Sequence, residues 1–220
     1  MKSTIFYNSS KYTNVEYALR NFLNIQQDWL SEQTAKSTRA VGDSIENKIS
    51  ANYIDVSGLQ LKNYTADFAR RAMADLAFED LDGFYYIVDV KTHRKSTKFN
   101  MPNLTSVERL ARFYENNRNY FILILVVYDV NGASVKVDKV HFTPIEFLTW
   151  NCLTIGALGW GQIQIANSNN IEFNHGASRK DWMIQMCDTL LEFYPKEIQK
   201  IDERILHFQR IKAEWEMRTN

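Results

Sequence analysis

Asp75, Asp89 and Lys91 are the residues whose types and spacing suit the hydrolysis of a phosphate ester. Asp89 and Lys91 stand two apart in FYYIVDVK, a run of aromatic and β-branched residues that reads as a strand over Phe84 to Val90. Side chains alternate faces along an extended strand, so these two point one way while Val88 and Val90 point the other. Upstream, Leu76 to Phe78 makes a shorter strand, with the turn signal Leu81-Asp82-Gly83 between the two. Asp75, at the head of that first strand, is expected to meet Asp89 across the hairpin. Paired carboxylates suit a hard divalent cation that keeps several of its waters. A neighbouring lysine can then hold the attacking water and stabilise negative charge building on a phosphate.

A plainer account of the same residues exists. An Asp-x-Lys triplet is expected about once by chance in a chain of this size, and structural ion pairs also produce such clusters. Glu46-Asn47-Lys48 is an internal control. It lies in a helical pattern, where residues two apart share no face, so it is discounted as a metal–lysine motif. What distinguishes Asp89-Val90-Lys91 is its apolar strand and the acid upstream on a candidate partner strand.

The elements that must position these residues come from a chain of 220 residues, 45% hydrophobic and 24% charged. That is enough to bury a core as one domain spanning 1–220. Cys152 and Cys187 have neither pairing nor metal spacing and read as packing residues in a reducing cytoplasm. His93, His141, His175 and His207 are scattered without zinc-ligand spacing, and neither a nucleophile elbow nor a Walker loop is present. The N-terminus lacks an apolar core of signal-peptide length, and the longest apolar run, Tyr120 to Tyr128, is too short to cross a bilayer. A cytoplasmic protein without a membrane partner is expected. Net charge is zero, yet Lys91, Arg94, Lys95, Lys98, Arg109, Arg112 and Arg118 face only Glu108 and Glu115 in the segment after the acid pair. A local surplus of that kind attracts phosphates while the whole chain stays neutral; a solvated charged loop and helix is the plainer alternative.

N-terminal helices are expected over 14–53. The first runs from Asn14, as N-cap, to about Gln33, and the second from about Val41 to Tyr53 with Val41, Ile45 and Ile49 on one face. A short helix over Thr65 to Met73 leads into Asp75. Asn103 or Thr105 caps another helix running to about Asn117, with Val107, Leu110, Ala111 and Tyr114 inward. FILILVVYDV is a buried strand that turns at Asn131-Gly132 into Ser134 to Phe142, and Pro144 opens a short helix to about Trp150. Ile155 to Asn174 mixes glycines with glutamines and asparagines and reads as a polar loop. Its glycines do not follow a dinucleotide-binding pattern, and its amides are the kind that read adenine edges. Ser178-Arg179-Lys180-Asp181 opens C-terminal helices over 178–217, divided at Pro195. Ile198, Ile201, Ile205, Phe208 and Trp215 make a heptad-like stripe, a core or dimer seam. The order implies an α/β chain, α+β by stricter usage, with a mixed central sheet flanked by helices.

Asp75…Asp89-Val90-Lys91 resembles the PD-(D/E)xK signature of type II restriction endonucleases. FYYIVDVKTH, NMPNLTSVERLARF, GQIQIANS and GASRKDW resemble, in order and spacing, the HincII-like subgroup, which shares the EcoRV-like core. AVGDSIENK is similar to the Gly-acid-x-x-Glu helix of that group. Ala74 stands where the signature nominally has proline, and the two aspartates stand fourteen positions apart.

The resemblance implies a restriction-endonuclease-like core in which Asp75, Asp89 and the Val90 carbonyl hold Mg²⁺ and Lys91 orients water. Glu46 supports the site from its helix. Asn100 is implied to lie against or between bases, and Asn103, Ser106 and Arg109 near phosphates, with Lys95 and Lys98 in the basic segment. Gln162, Gln164 and Asn167 would read the groove. The implied protein is a homodimer that cuts both strands of duplex DNA at a short palindrome, leaving 5′-phosphate and 3′-hydroxyl ends. The rivals are a DNA-repair or structure-selective nuclease of the same superfamily and a non-catalytic DNA-binding protein.

Overall fold

A computed structural model describes residues 2–7, 10–26, 30–67 and 73–218. Five strands form the central sheet: β1 (Leu61–Thr65), β2 (Leu76–Asp80), β3 (Tyr85–Arg94), then β5 (Asn119–Asn131) and β6 (Ser134–Pro144). A second sheet has the order β4 (Asn103–Ser106), β8 (Gln162–Ile165), β7 (Leu153–Gly156). β3 and β5 run parallel and the other pairs antiparallel, so the mixed sheet and the α+β class are as expected. The hairpin at Asn131-Gly132 is also as expected, with Gly132 at φ 61°, a left-handed conformation that suits glycine.

Strand alternation splits the interior into two layers. Tyr86, Val88 and Val90 of β3 face a core closed by α1 (Thr4–Tyr7), α2 (Lys11–Ile25) and α4 (Thr38–Ser57). Ile87 faces the opposite core, built from α5 (Val107–Phe113), the second sheet and the first turns of α6 (Arg179–Glu216). α4 buries Val41, Ile45, Ile49 and Tyr53 at helical spacing, and the Ser37 side chain accepts from Ala40 N–H at its start.

Several boundaries differ from expectation. The Asn14 N–H already bonds to the Ser10 carbonyl, so Asn14 lies one turn inside α2 and is not its cap. α2 stops at Ile25 because Gln26 turns extended, at ψ 126°; a separate turn, α3, covers Glu32–Ala35. Thr65 ends edge strand β1, whose polar alternation hid it; Lys62 and Asn63 both hold Glu79 across to β2. The remainder of the helix expected over Thr65 to Met73 falls largely on 68–72, outside the described residues. The helix expected to be capped at Asn103 or Thr105 starts later, with Ser106 as its cap. Asn103–Ser106 is drawn into β4 by β8, some sixty residues away in sequence, and Ala111 is exposed. Pro144 opens only a 3-10 turn, Ile145–Phe147.

Ile155 to Asn174 is not a loop throughout. β7 and β8 form a hairpin in which Ile163 and Ile165 are buried while Gln162 and Gln164 point outward. Nor does Pro195 divide the C-terminal helix, since α6 is continuous over 38 residues. A proline removes one ladder donor. The carbonyl thereby freed belongs to Leu191, which is exposed, so water can satisfy it.

Candidate functional site

β2 begins opposite Val88, whereas β3 continues to Arg94. Beyond Val90 the strand therefore keeps β5 on one side and has lost its β2 neighbour on the other. Asp75 finishes that margin. Its N–H donates to the Val88 carbonyl at 2.8 Å, and its Oδ2 accepts from the Val90 N–H at 2.6 Å, serving a donor left over by the short partner strand. Asp89 and Lys91 project from β3 on one face, as alternation requires, and Lys91 Nζ lies 2.5 Å from Asp89 Oδ1. Asp89 is buried, and its Oδ2 has no hydrogen-bond partner among the described residues.

α4 brings the third acid. Gly42 sits so close to β3 that a Cβ there would approach Thr92 Oγ1 to 2.7 Å. That close approach lets the helix lie along the open margin, and Glu46, one turn on, comes within electrostatic reach of the Asp75 carboxyl. Gly42-Asp43-x-x-Glu46 thus has a physical reason for its pattern: the glycine seats the helix and Glu46 enters the site.

Three carboxyl groups therefore surround one ammonium. Burial pushes Asp89 up to about 7, outweighing the pull of Lys91, with Asp75 adding further upward pressure. Burial also raises Glu46 to about 7, again with Asp75 nearby. Lys91 is raised, its three acidic neighbours overcoming its own desolvation. Such a corner holds protons near neutrality or takes a cation in their place. Among the described residues no three His, Cys, Asp or Glu side chains close a ready-made cage. Mg²⁺ does not require one, because it is commonly held by one or two carboxylates together with waters and substrate phosphate. The orphaned Asp89 Oδ2 and the surplus of negative charge fit such an ion.

The other expected residues fall into groups. β4 and β8 place Asn103 beside Gln164, whose Nε2 donates to Asn103 Oδ1. Gly156 leaves room for this amide, since a Cβ there would meet Gln164 Oε1 at 2.6 Å. Ser106, Arg109 and Gln162 line one groove with Met73 and Leu158. Asn100 gives its carbonyl to Ser168 N–H at 2.8 Å, and Asn167 Oδ1 accepts from both nitrogens of Asn169 at 3.1 Å. Lys91, His93, Ile165 and Ser168 line one small void between β3 and the end of β8.

The basic segment is less unified than its composition suggests. Lys95 is ion-paired with Asp138 at 3.0 Å and Arg94 lies 3.8 Å from Asp129. Arg112 pairs with Glu108, and Arg118 donates to the Asp82 carbonyl. Lys98 stays exposed on the loop that follows β3.

Two residues that the sequence left without a role hold this loop in place. Asn169 Nδ2 donates to the carbonyls of Thr97 and Lys98 at 3.2 and 3.1 Å, and its Oδ1 lies 3.0 Å from His93 Nε2. His93 shares the face of Asp89 and Lys91; period-two counting along β3 could have found it.

Among the described residues no helix is long and apolar enough to cross a membrane. A scan of the chain against protein-family models finds no match, and a search of curated proteins finds none either.

Proposed function

We propose that the protein is a Mg²⁺-dependent endonuclease that cuts duplex DNA at a short symmetric sequence, in the manner of type II restriction enzymes. The observation that carries this reading is the convergence of Asp75, Asp89, Glu46 and Lys91, with one buried carboxylate oxygen left unpartnered among the described residues. A wholly structural cluster tends towards balance, because an unpaired buried acid is costly.

Asp75 and Asp89, with the Val90 carbonyl, would hold the ion. When bound, Mg²⁺ acidifies water and offsets charge on the phosphate. Lys91 orients the attacking water and stabilises the extra negative charge as the P–O bond forms. Glu46, raised towards neutrality, keeps a proton next to Asp75 until that charge is compensated. The new bond joins water oxygen to phosphorus as that water gives up a proton to solvent; the P–O3′ bond breaks and O3′ takes a proton from solvent, leaving a 5′-phosphate and a 3′-hydroxyl. Asn103, Ser106, Arg109 and Lys98 would contact backbone and set register, while Gln162, Gln164 and Asn167 read base edges. A palindromic target calls for a two-fold pair of chains.

The test is incubation with phage DNA and Mg²⁺, beside EDTA and Asp89→Ala controls. Discrete bands that vanish in both controls, with sequenced ends giving one symmetric site, are the expected result. Cutting only of nicked or branched duplexes would favour a structure-selective enzyme. Binding without cutting across phage, genomic and synthetic duplexes would favour a non-catalytic protein. Gln164→Ala should weaken binding to the target by about tenfold and leave random duplex nearly unaffected; equal loss on both would remove Gln164 from the reading surface.

A further inference from the structure

α6 stays against the body through its first four turns, where Trp182 and Met186 are buried, Leu190 and Phe193 pack against the core and the Tyr194 hydroxyl donates to the Trp160 carbonyl at 2.6 Å, and only then leaves it. Met186 is its last buried residue, and from Tyr194 onward its side chains are exposed or only partly covered. That outer length is roughly 30 Å at the rise of an α-helix. A single helix without tertiary contacts is marginal in water, so this one wants a partner. Its apolar side chains show which kind. Leu191, Tyr194, Ile198, Ile201, Ile205 and Phe208 follow each other at strictly alternating intervals of three and four, and each is between 38% and 71% exposed. Trp215, 62% exposed, continues the series, with Lys212 interrupting it once. This is the a/d seam of a coiled coil, in which one polar core residue commonly selects register and orientation.

We propose that this stripe is a self-association seam along which a second copy of the chain packs antiparallel. Charge decides the direction. In a parallel pair Lys212 would meet its own copy in the core, and Glu197 would flank Asp202 of the partner subunit. In an antiparallel pair centred between Gln199 and Lys200 both conflicts disappear. Ile198 then opposes Ile201 of the partner subunit, Phe208 opposes Leu191 of the partner subunit, and Lys212 opposes Cys187 of the partner subunit. Glu197, which within the chain pairs with Lys200 at 2.6 Å, then flanks Arg204 of the partner subunit, and two-fold symmetry makes that contact twice. A stable interface takes about 800 Å² from each partner, and towards it the stripe offers Leu191, Ile198, Ile201, Ile205, Phe208 and Trp215, each at least 49% exposed. The seam does not include the acid corner and stands independently of the nuclease reading.

Sedimentation equilibrium of the full chain at tens of micromolar should give twice 25.8 kDa. Joint Ile198→Asp and Ile205→Asp substitution should give the single mass while the body keeps its cooperative unfolding transition, because neither side chain belongs to a core. Glu197→Arg should weaken the dimer by about tenfold, and adding Arg204→Glu should restore it. Lys212→Cys should form an intermolecular disulfide with Cys187 under mild oxidation, whereas the unchanged chain should not cross-link. A monomeric wild-type chain, or a dimer indifferent to the two aspartates, overturns the seam. Cross-linking of the unchanged chain through Cys187 overturns the antiparallel order. Loss of cleavage with the dimer intact would bear on the nuclease reading alone.

Discussion

Two buried charge clusters in this protein have opposite characters. Around Glu146 the accounts are balanced. Its Oε1 accepts from Arg179 Nε at 3.0 Å and its Oε2 from the Tyr114 hydroxyl at 2.7 Å. The guanidinium lies over the rings of Tyr114 and Tyr120, 4.1 and 4.2 Å from their centroids. One acid meets one base, and the result pins the first turn of α6 to the body. Around Asp89 three acids share one lysine, a carboxylate oxygen has no partner among the described residues, and two carboxyls are pushed up to about 7. In the first cluster acid and base match one to one; in the second the acids outnumber the base.

Substitution should separate the two. Asp89→Ala and Lys91→Ala are each expected to lower cleavage by about a thousandfold or more, with thermal unfolding little changed; a normal cutting rate in either would end the proposed chemistry. Arg179→Ala should do the reverse. It strands the buried Glu146 charge, costs about 3–5 kcal/mol of stability as read by urea titration, and leaves cleavage measurable at low temperature. Glu46→Gln is expected to reduce cleavage by about ten- to a hundredfold, as supporting residues beside a metal do, and to weaken Mg²⁺ dependence in parallel.

The smallest effect concerns pH. Asp89 and Glu46 bind protons more tightly folded than unfolded, since their folded values lie above the ordinary carboxylate range. Their contribution to stability is therefore complete below about pH 4 and is lost as pH rises through about 7. Melting temperature in EDTA should fall over that window, less steeply in Asp89→Asn, and Mg²⁺ should recover part of the loss at pH 8. An identical slope in Asp89→Asn would mean that Asp89 is not strained by burial.

The acid corner was legible because its determinants are local. A strand rich in Tyr, Ile and Val fixes which way Asp89 and Lys91 point, and a hairpin fixes where Asp75 falls. Glu46 was visible only through its likeness to a family pattern; what seats it, the contact of Gly42 with Thr92, joins residues fifty apart. The second sheet was misread for the same reason. Asn103–Ser106 has a capping sequence and becomes a strand only because Gln162–Ile165 arrives beside it, and the glycines of that hairpin masked a clear alternation of Gln and Ile. The pairing of Lys95 with Asp138 and of Arg94 with Asp129 likewise could not be counted from composition, which sees charges and not their neighbours.

The late arrival of β8 has a consequence in time. β1, β2, β3, β5 and β6 are all encoded by residue 144, so the central sheet, with its three acids, can assemble while the chain is still being made. β4 must wait for Gln162–Ile165, and long-range pairings of this kind form slowly because chain entropy is spent before contacts repay it. Folding should therefore proceed in two kinetic phases, the first completing the acid corner and the second raising the amide surface beside it. On the proposed function, the nascent protein would pass through an interval in which its acid corner is formed and the amide surface that would select a site is not.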